Sequence, residues 1–461
     1  MNVFLWLFLL LLGCTVGPDY QQPQFITPEQ ISKNLNLKPS IEDFDSNFQK
    51  FQDKVLTQLI QQGIKNNLSV RQAVAALRAA RYALQIDVAG LAPTLDATAQ
   101  YQEIHNSHNM KLQLKENSYQ LGIDAAWEID IFGHQRRTIE QTAAEGAKTL
   151  ANLENVLVSL CAEIARVYYD LRLNEILLEK AKENIKIQQE LQHITKDLYS
   201  NGLTDKINLN EADYLTQNTK AALPQLKQKI VASKVALSLL LSILPDDLES
   251  LLESSSTNPI TSPLTYDMNK FYTIKADLIR LRPDVQAAEA DLIGANAAIG
   301  VAVAELYPQV SFASLFGFEA LKGKNLLNHA SWMYELVPSV KLPIFHFGAL
   351  KNNIKIQEAK KEAALAAYEQ AVLQAVADIK NALMALNQEQ KRNEFLKTAY
   401  DRISHAAELT RAKYKTGLIN YSQVLDSEER RLTAQTEWLS SNAMLYQNIM
   451  AFYKAIGIFP K

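Results

Sequence analysis

The chain has 461 residues, 47 basic against 50 acidic, and a formal net charge of -3. No basic excess points to nucleic acid, and two cysteines exclude a disulfide framework. With only 15 Gly and 14 Pro, and Ala, Leu, Gln, Glu and Lys in excess, the composition suits long helices rather than a sandwich or a dinucleotide-binding enzyme.

Val3–Leu12 is an apolar run of signal-peptide length, too short to span a bilayer. It ends in Leu11-Leu12-Gly13-Cys14, which resembles a bacterial lipobox. Residues 1–13 therefore read as a removed signal, Cys14 as an acylated mature N-terminus, and 14–53 as a lipidated extended segment. An ordinary secretory signal with a chance cysteine is the plainer alternative, since no Lys or Arg precedes the run. Beyond residue 14 no spanning helix is expected, so any membrane segment would be β-strand, about 9–11 residues each. Cys161 falls in an apolar helical stripe and reads as a small core residue.

The next region, 54–245, reads as a helix, two strands within about 94–131, a long helix at about 134–200 and a return helix at about 204–244. Leu95, Ala97, Ala99 and Tyr101 alternate with polar residues, as do Tyr119, Leu121, Ile123, Ala125, Trp127 and Ile129. Period two with one apolar face is the strand signal. The polar connection, about Glu103–Asn117, contains His105 and His108. A two-histidine metal site there is outweighed by solvated loop histidines, and no metal or other cofactor is expected. From His134 to Ser200 the chain has no Pro and one Gly, Gly146, a helix of about 100 Å. Leu150, Leu153, Leu157, Leu160, Ile164, Val167 and Leu171 step alternately by three and four, a coiled-coil seam that an ordinary bundle helix would share. Asn201-Gly202 should turn the chain back, and Pro224 should kink the return helix.

After a linker at 246–271, the pattern recurs over 272–461. Pro93 and Pro308, Phe132-Gly133 and Phe347-Gly348, Gly202-Leu203 and Gly417-Leu418 are each 215 residues apart. Strands are expected within about 309–345. Val310, Phe312, Phe316 and Phe318 share a face, as do Trp332, Tyr334, Leu336, Pro338, Val340 and Leu342; Ala320–Ala330 connects them. A long helix at about 349–416 and a return helix at about 418–456 follow. Its seam is Leu365, Tyr368, Val372, Ala375, Ile379, Ala382 and Leu386. A soluble sheet on a core is the plainer reading of the strands, but the rest of the chain is committed to long helices. Four strands cannot close a membrane barrel, so edges facing lipid must be closed by other copies.

Four stretches carry a family resemblance: Cys14-Thr15-Val16-Gly17-Pro18-Asp19-Tyr20; Arg282-Pro283-Asp284-Val285 with Ala287-Ala288-Glu289-Ala290; Leu306-Tyr307-Pro308-Gln309-Val310-Ser311; and Leu342-Pro343-Ile344-Phe345 with Phe347-Gly348. They resemble the TolC-like outer membrane efflux factors, in the lipoprotein (OprM/NodT-type) branch serving resistance-nodulation-division (RND) drug pumps. The resemblance implies a mainly α, mixed α+β fold. Three chains would form a 12-stranded outer membrane β-barrel continued by a long periplasmic helical barrel. It also implies a homotrimer in outer membrane lipid, with a periplasmic adaptor and an inner membrane RND-type transporter as partners. Tips Gly202, Leu203, Thr204 and Gly417, Leu418, Ile419 would meet the adaptor, although plain hairpin turns would look the same. Glu211 and Asp426 are repeat equivalents, as are Asp213 and Glu428; these acids are expected to narrow the periplasmic end, against the plainer reading of a solvated helix face.

No phosphate loop, HExxH or CxxC points to an enzyme. The expected function is the passive exit duct of a tripartite efflux system. A type I secretion duct and a non-pore periplasmic coiled-coil scaffold are the alternatives.

Overall fold

The computed structural model describes residues 15–23, 30, 33, 53–105, 107, 109, 115–252, 260 and 276–457. In chain order these form α1 (Lys54–Asn66), α2 (Leu68–Ala89), β1 (Thr94–His105), β2 (Lys115–Ile129), α3 (His134–Ser200), α4 (Lys206–Leu241) and α5 (Pro245–Leu252). A 3₁₀ turn (Ala276–Leu281) precedes α6 (Pro283–Ala304), β3 (Gln309–Ala320), β4 (Trp332–Lys341), α7 (Ala349–Lys415) and α8 (Tyr421–Ile456).

The strands form one antiparallel sheet in the order β1-β2-β3-β4, so the two repeats meet at the β2–β3 pair. The register aligns every apolar face read from the sequence. Ala97 lies opposite Ile123, Ile123 opposite Phe316, and Phe316 opposite Tyr334. β1 extends to His105, which pairs with Lys115. His105 thus ends a strand instead of sitting in the loop, and His108 lies outside the described residues.

Contacts divide the chain into two compact units. One is built on Ala75–Ala151 and Gln286–Gln370 with the N-terminal residues; the other on Phe25–Val74, Asn152–Val285 and Ala371–Lys461. Compactness therefore does not follow the sequential repeats. Each unit takes equivalent pieces from both, because the repeats associate laterally.

In the first unit, α6 corrects one expectation. It is the one helix among the described residues long and apolar enough to cross a membrane by composition, with 44% of its window buried. Its apolarity comes from Leu292, Ile293, Ile299, Val301 and Val303 together with alanines, and Gly300 allows a close approach: a Cβ there would strike the Arg137 side chain at 2.8 Å.

In the second unit, Leu160, Ile164, Val167 and Leu171 of α3 and Tyr368's successors on α7, Val372, Ala375, Ile379 and Leu386, are buried. In the part of α3 that belongs to the first unit, Leu150 departs from the expected seam: it is 41% exposed, and Ala151 takes the inner position beside it. Tyr169 stacks on Tyr446 of α8, with ring centroids 4.6 Å apart. Ile260, in the linker, is fully buried against Ile176, Leu439 and Ala443. The linker residues 253–259 and 261–275 lie outside the described residues. α4 runs unbroken through Pro224. The return helices start later than expected, at Lys206 and Tyr421, because each tip takes a few more residues to turn. Asp205 then caps α4 by accepting from Asn208 N at 3.0 Å.

Candidate functional site

The sheet presents one continuous apolar face. Leu95, Ile123, Phe316, Leu336 and Val340 are exposed on it, with Leu95 at 71% and Val340 at 69%. Aromatic rings gather toward both ends. Tyr101 packs on Tyr119 at 4.9 Å and Trp332 on Tyr334 at 5.4 Å, on the side of the strand connections. Trp127 and Phe312 are directly paired near the opposite end. Tyr119 and Trp127 share a face of β2, about 27 Å apart at ~3.4 Å per residue. A lipid-facing band flanked by aromatic girdles is about 25 Å tall. β1 and β4 each pair on one side only among the described residues, leaving two open edges.

Where β2 turns into α3, an N-terminal strap crosses the corner. Val16 N donates to Phe132 O at 3.2 Å, and a Cβ on Gly133 would meet Thr15 at 2.8 Å. Arg137, buried in the first turn of α3, donates to Val16 O, Gly17 O and Asp19 Oδ1, the last at 2.7 Å, and to Glu140 Oε2. Burial lowers its pKa, but the carboxylates of Glu140 and Asp19 outweigh that and hold it above the ordinary arginine value. Tyr20 and Gln22 both donate to Glu289 Oε1, at 3.0 and 2.8 Å. Cys14 lies outside the described residues, one position from Thr15. Sequence reasoning missed Arg137. The available signal was a cation in the first turn of a helix, where the dipole disfavours it unless carboxylates or carbonyls surround it.

The two tips are built alike. Leu203 N donates to Leu198 O at 2.8 Å and Gly202 N to Tyr199 O at 3.0 Å; Leu418 N donates to Lys413 O at 3.0 Å and Gly417 N to Tyr414 O at 2.9 Å. Both are Schellman turns, with Gly202 and Gly417 at φ of 73° and 74°. Of the six tip residues, Leu203 and Leu418 stand out into solvent at 73% and 74% exposure. Thr204 accepts from Asn208 at 2.8 Å. Ile419 turns inward onto a core of Leu191, Ala212, Tyr414, Tyr421 and Val424. There Tyr414 OH and Thr195 Oγ1 are 2.8 Å apart. Thr195 already donates to Leu191 O, so Tyr414 is the donor.

The four acids beyond the tips do not form one cluster. Asp213 is exposed and accepts from Gln192 and Gln217. Asp426 is exposed and pairs with Arg430 at 3.0 Å. Glu211 is half-buried, with Oε2 lacking a hydrogen-bond partner. Glu428 is 1% exposed. Arg431 Nε donates to its Oε2 at 2.9 Å, and Arg411 Nε stands 3.3 Å from Oε1, an ion pair outside hydrogen-bond geometry. Arg431 also donates to Asn184 Oδ1 at 2.7 Å, tying α8 to α3. A side chain so enclosed cannot line a water path within the chain. Burial first, then Tyr414, Glu211 and Glu428, raise the Tyr421 phenol above its ordinary value.

The Arg282-Pro283-Asp284 motif is a structural clasp. Arg282 is 6% exposed and donates to Asp284 Oδ2 at 2.6 Å, Asp378 Oδ2 at 3.0 Å and Ala455 O, at the end of α8.

A four-stranded sheet with a lipid-type face, leading into hairpins of very long helices, defines a membrane channel subunit. The chain matches the family described as outer membrane efflux protein over residues 59–242 and 276–458, and it belongs to that family. Nodulation protein T of Rhizobium leguminosarum bv. viciae is 27% identical over 93% of this chain and 87% of its own. The solvent efflux pump outer membrane protein SrpC of Pseudomonas putida is 26% identical over 97% and 96%. The solved outer-membrane channel OprN superposes with a TM-score of 0.87 at 29% identity, covering 96% of this chain and 99% of that one. The protein is thus an outer membrane efflux channel, in a family of channels rather than enzymes.

Proposed function

We propose that three copies of this chain form the exit duct of a tripartite efflux system, with a twelve-stranded barrel in the outer membrane and a tunnel of helical hairpins in the periplasm. The observation that carries this reading is the sheet itself: one apolar face with aromatic ends, and two open edges that four strands cannot close. Conduction is passive, through a water path whose width and charge decide what passes. The exposed leucines of the tips, Leu203 and Leu418 with Gly202 and Gly417, dock a periplasmic adaptor fed by an inner membrane RND-type transporter. Asp426, Asp213 and the half-buried Glu211 set the charge of the periplasmic constriction, while Glu428 holds the helices together behind it. Acylation at Cys14 adds a lipid anchor beside the barrel rim.

Relatives named for nodulation and for solvent efflux are equally similar to this chain, which favours substrate selection upstream of the duct. The pump-type names also favour this reading over a type I secretion duct, and the lipid-type face argues against a scaffold without a pore. The test is native mass of the detergent-purified protein together with single-channel conductance. Three-chain particles that conduct are expected. Monomers, or trimers without conductance, would overturn the proposal.

A further inference from the structure

The first repeat leaves a cavity where the second is filled. α4 buries Ala212, Leu215 and Thr216 near its tip and Leu237, Ser238 and Leu241 at its far end, and nothing between Thr216 and Leu237. Pro224, which brings no N–H, stands in that unanchored stretch. α8 behaves otherwise. The repeat equivalent of Pro224 is Leu439, packed with Ile176, Ile260 and Ala443. Where α4 is unanchored, it encloses with α3 and α8 a cavity of about 350 Å³, at the low end of the ~300–1,000 Å³ that small-molecule pockets occupy.

The lining is graded in polarity from end to end. Asn184 of α3 and Gln435 of α8 are buried in it. Their groups are spent on each other, on Arg431 and on Tyr400, so they close the cavity without offering a bond. Ala181, Ala222, Leu226 and Leu432 give it an apolar wall. Lys180 and Lys229 also line it, and no carboxylate does.

The hairpin sets the height of these lysines. Gln188 of α3 donates to Thr219 of α4 at 3.0 Å. Lys180 is eight residues from Gln188, and Lys229 is ten from Thr219, on antiparallel helices. At ~1.5 Å per residue the two positions are level to within about 3 Å, some 12–15 Å from that bond. Glu183 accepts from Lys180 at 2.9 and 3.0 Å and offsets part of its charge. Lys229 makes no ion pair among the described residues. At the other end stands Asn218, whose side-chain amide bonds no other group among the described residues.

We propose that this cavity is a binding site for an amphipathic aromatic carboxylate. Its anionic end lies between Lys180 and Lys229, its rings lie against Ala222, Leu226 and Leu432, and a hydroxyl at its far end reaches Asn218. An inorganic anion would leave the apolar wall uncovered, and a neutral hydrocarbon would gain nothing from the lysines. The site lies within one chain, so it stands apart from the assembly proposed above. It occurs once per chain, because the repeat equivalents of Lys180 and Lys229 are Phe395 and Met444. Val231 and Val235 are exposed on the opposite side of α4, Val231 being about 200° around the helix from Lys229. Contacts made by that side do not fill the cavity. A ligand held there ties the unanchored span of α4 to α3 and α8.

The experiment titrates 6-hydroxy-2-naphthoate, and separately its methyl ester, into the detergent-purified full-length protein by calorimetry at neutral pH. One acid per chain is expected to bind, and the uncharged ester at least tenfold more weakly. Lys229→Gln should weaken the acid about tenfold and Lys180→Gln about threefold, as loss of a charge-assisted bond implies. Lys227→Gln removes the same charge from the far side of α4 and should change affinity less than twofold. Ala222→Phe fills the cavity and should abolish binding. Bound acid should slow hydrogen exchange between Asn218 and Lys229, and should not do so in Lys229→Gln at the same concentration. Absence of saturable binding would overturn the site. So would an ester that binds as well as the acid, which would be partition into detergent, or a loss in Lys227→Gln equal to that in Lys229→Gln, which would be diffuse attraction. Binding that survives Ala222→Phe would place the ligand elsewhere. Should Ala222→Phe fail to fold, the three lysine variants, which leave the core untouched, decide alone.

Discussion

Asp426 and Glu428 stand two residues apart on α8 and face opposite ways. Asp426 is exposed beside Arg430, while Glu428 is enclosed by Arg431 and Arg411. The positions differ by about 200° around a helix of 3.6 residues per turn, so one carboxylate can serve the water path and the other cannot. Asp426→Ala, combined with Asp213→Ala, is expected to reduce cation preference and its salt dependence in planar bilayers, with unfolding unchanged within about 0.5 kcal/mol. Glu428→Ala is expected to do the reverse. It strands the buried guanidinium of Arg431 beside the partly exposed Arg411 and should cost about 3–5 kcal/mol of stability, lowering the unfolding temperature. Unaltered selectivity in the double variant would remove these acids from the constriction.

The tips invite a test that separates docking from folding. Leu203 and Leu418 touch little within the chain, so Leu203→Ser with Leu418→Ser should leave thermal unfolding within about 0.5 kcal/mol of the parent. Binding to the cognate adaptor, measured by pull-down and by drug efflux in cells, should fall at least tenfold. Gly417→Ala should act differently. No atom lies within 4 Å of the added Cβ, yet φ is 74°, so the cost is backbone strain of about 1–2 kcal/mol. Retained adaptor binding in the leucine double variant would show that the tips only turn the chain.

Much of this architecture was legible because it rests on periodicity. The alternation in β1–β4 named the apolar face residue by residue, and the interval free of Pro between His134 and Ser200 bounded α3. The buried polar contacts were not legible. Arg431 meets Asn184 247 residues away in sequence, and no local pattern encodes that meeting. The burial of Glu428 is of the same kind: its repeat equivalent Asp213 is exposed, and equivalence in sequence does not extend to burial when Arg411 and Arg431 surround only one of the two positions. Leu150 lay on the right stripe, but the stripe drifts as the helix turns at 3.6 rather than 3.5 residues, and Ala151 replaces it inside. α6 looked too polar to count as an apolar run because Asp284, Glu289 and Asp291 break its first half.

The strap predicts how lipid and protein share the anchoring. Cys14→Ser should remove palmitate labelling yet leave most of the protein in the outer membrane fraction, since the proposed barrel would be the stronger anchor. Arg137→Ala removes the donor that holds Val16 O, Gly17 O and Asp19, at about 1.5–3 kcal/mol for bonds to a charged group. It should speed hydrogen exchange at the Val16 amide, which bonds Phe132 O, without loss of label. If the label is absent from the parent protein, Cys14 is not acylated.

Asp284 sets an acid limit on the helical core. Burial opposes its ionisation, but the Arg282 guanidinium outweighs that penalty and holds the carboxyl below its ordinary value. A carboxyl with a lowered folded pKa contributes stability above its unfolded value, about 3.9, and loses that contribution as pH falls through the lower folded value. The Asp284 side chain is 38% exposed, so solvent screens the pair and about 1 kcal/mol is expected. Asp284→Asn should therefore destabilise the protein by that amount at pH 7, and the gap to the parent should narrow as pH falls below about 4. Urea unfolding of the purified protein across that range measures it. A gap that stays constant with pH would assign the effect to the amide NH2 that replaces one of the two oxygens accepting from Arg282, rather than to the charge.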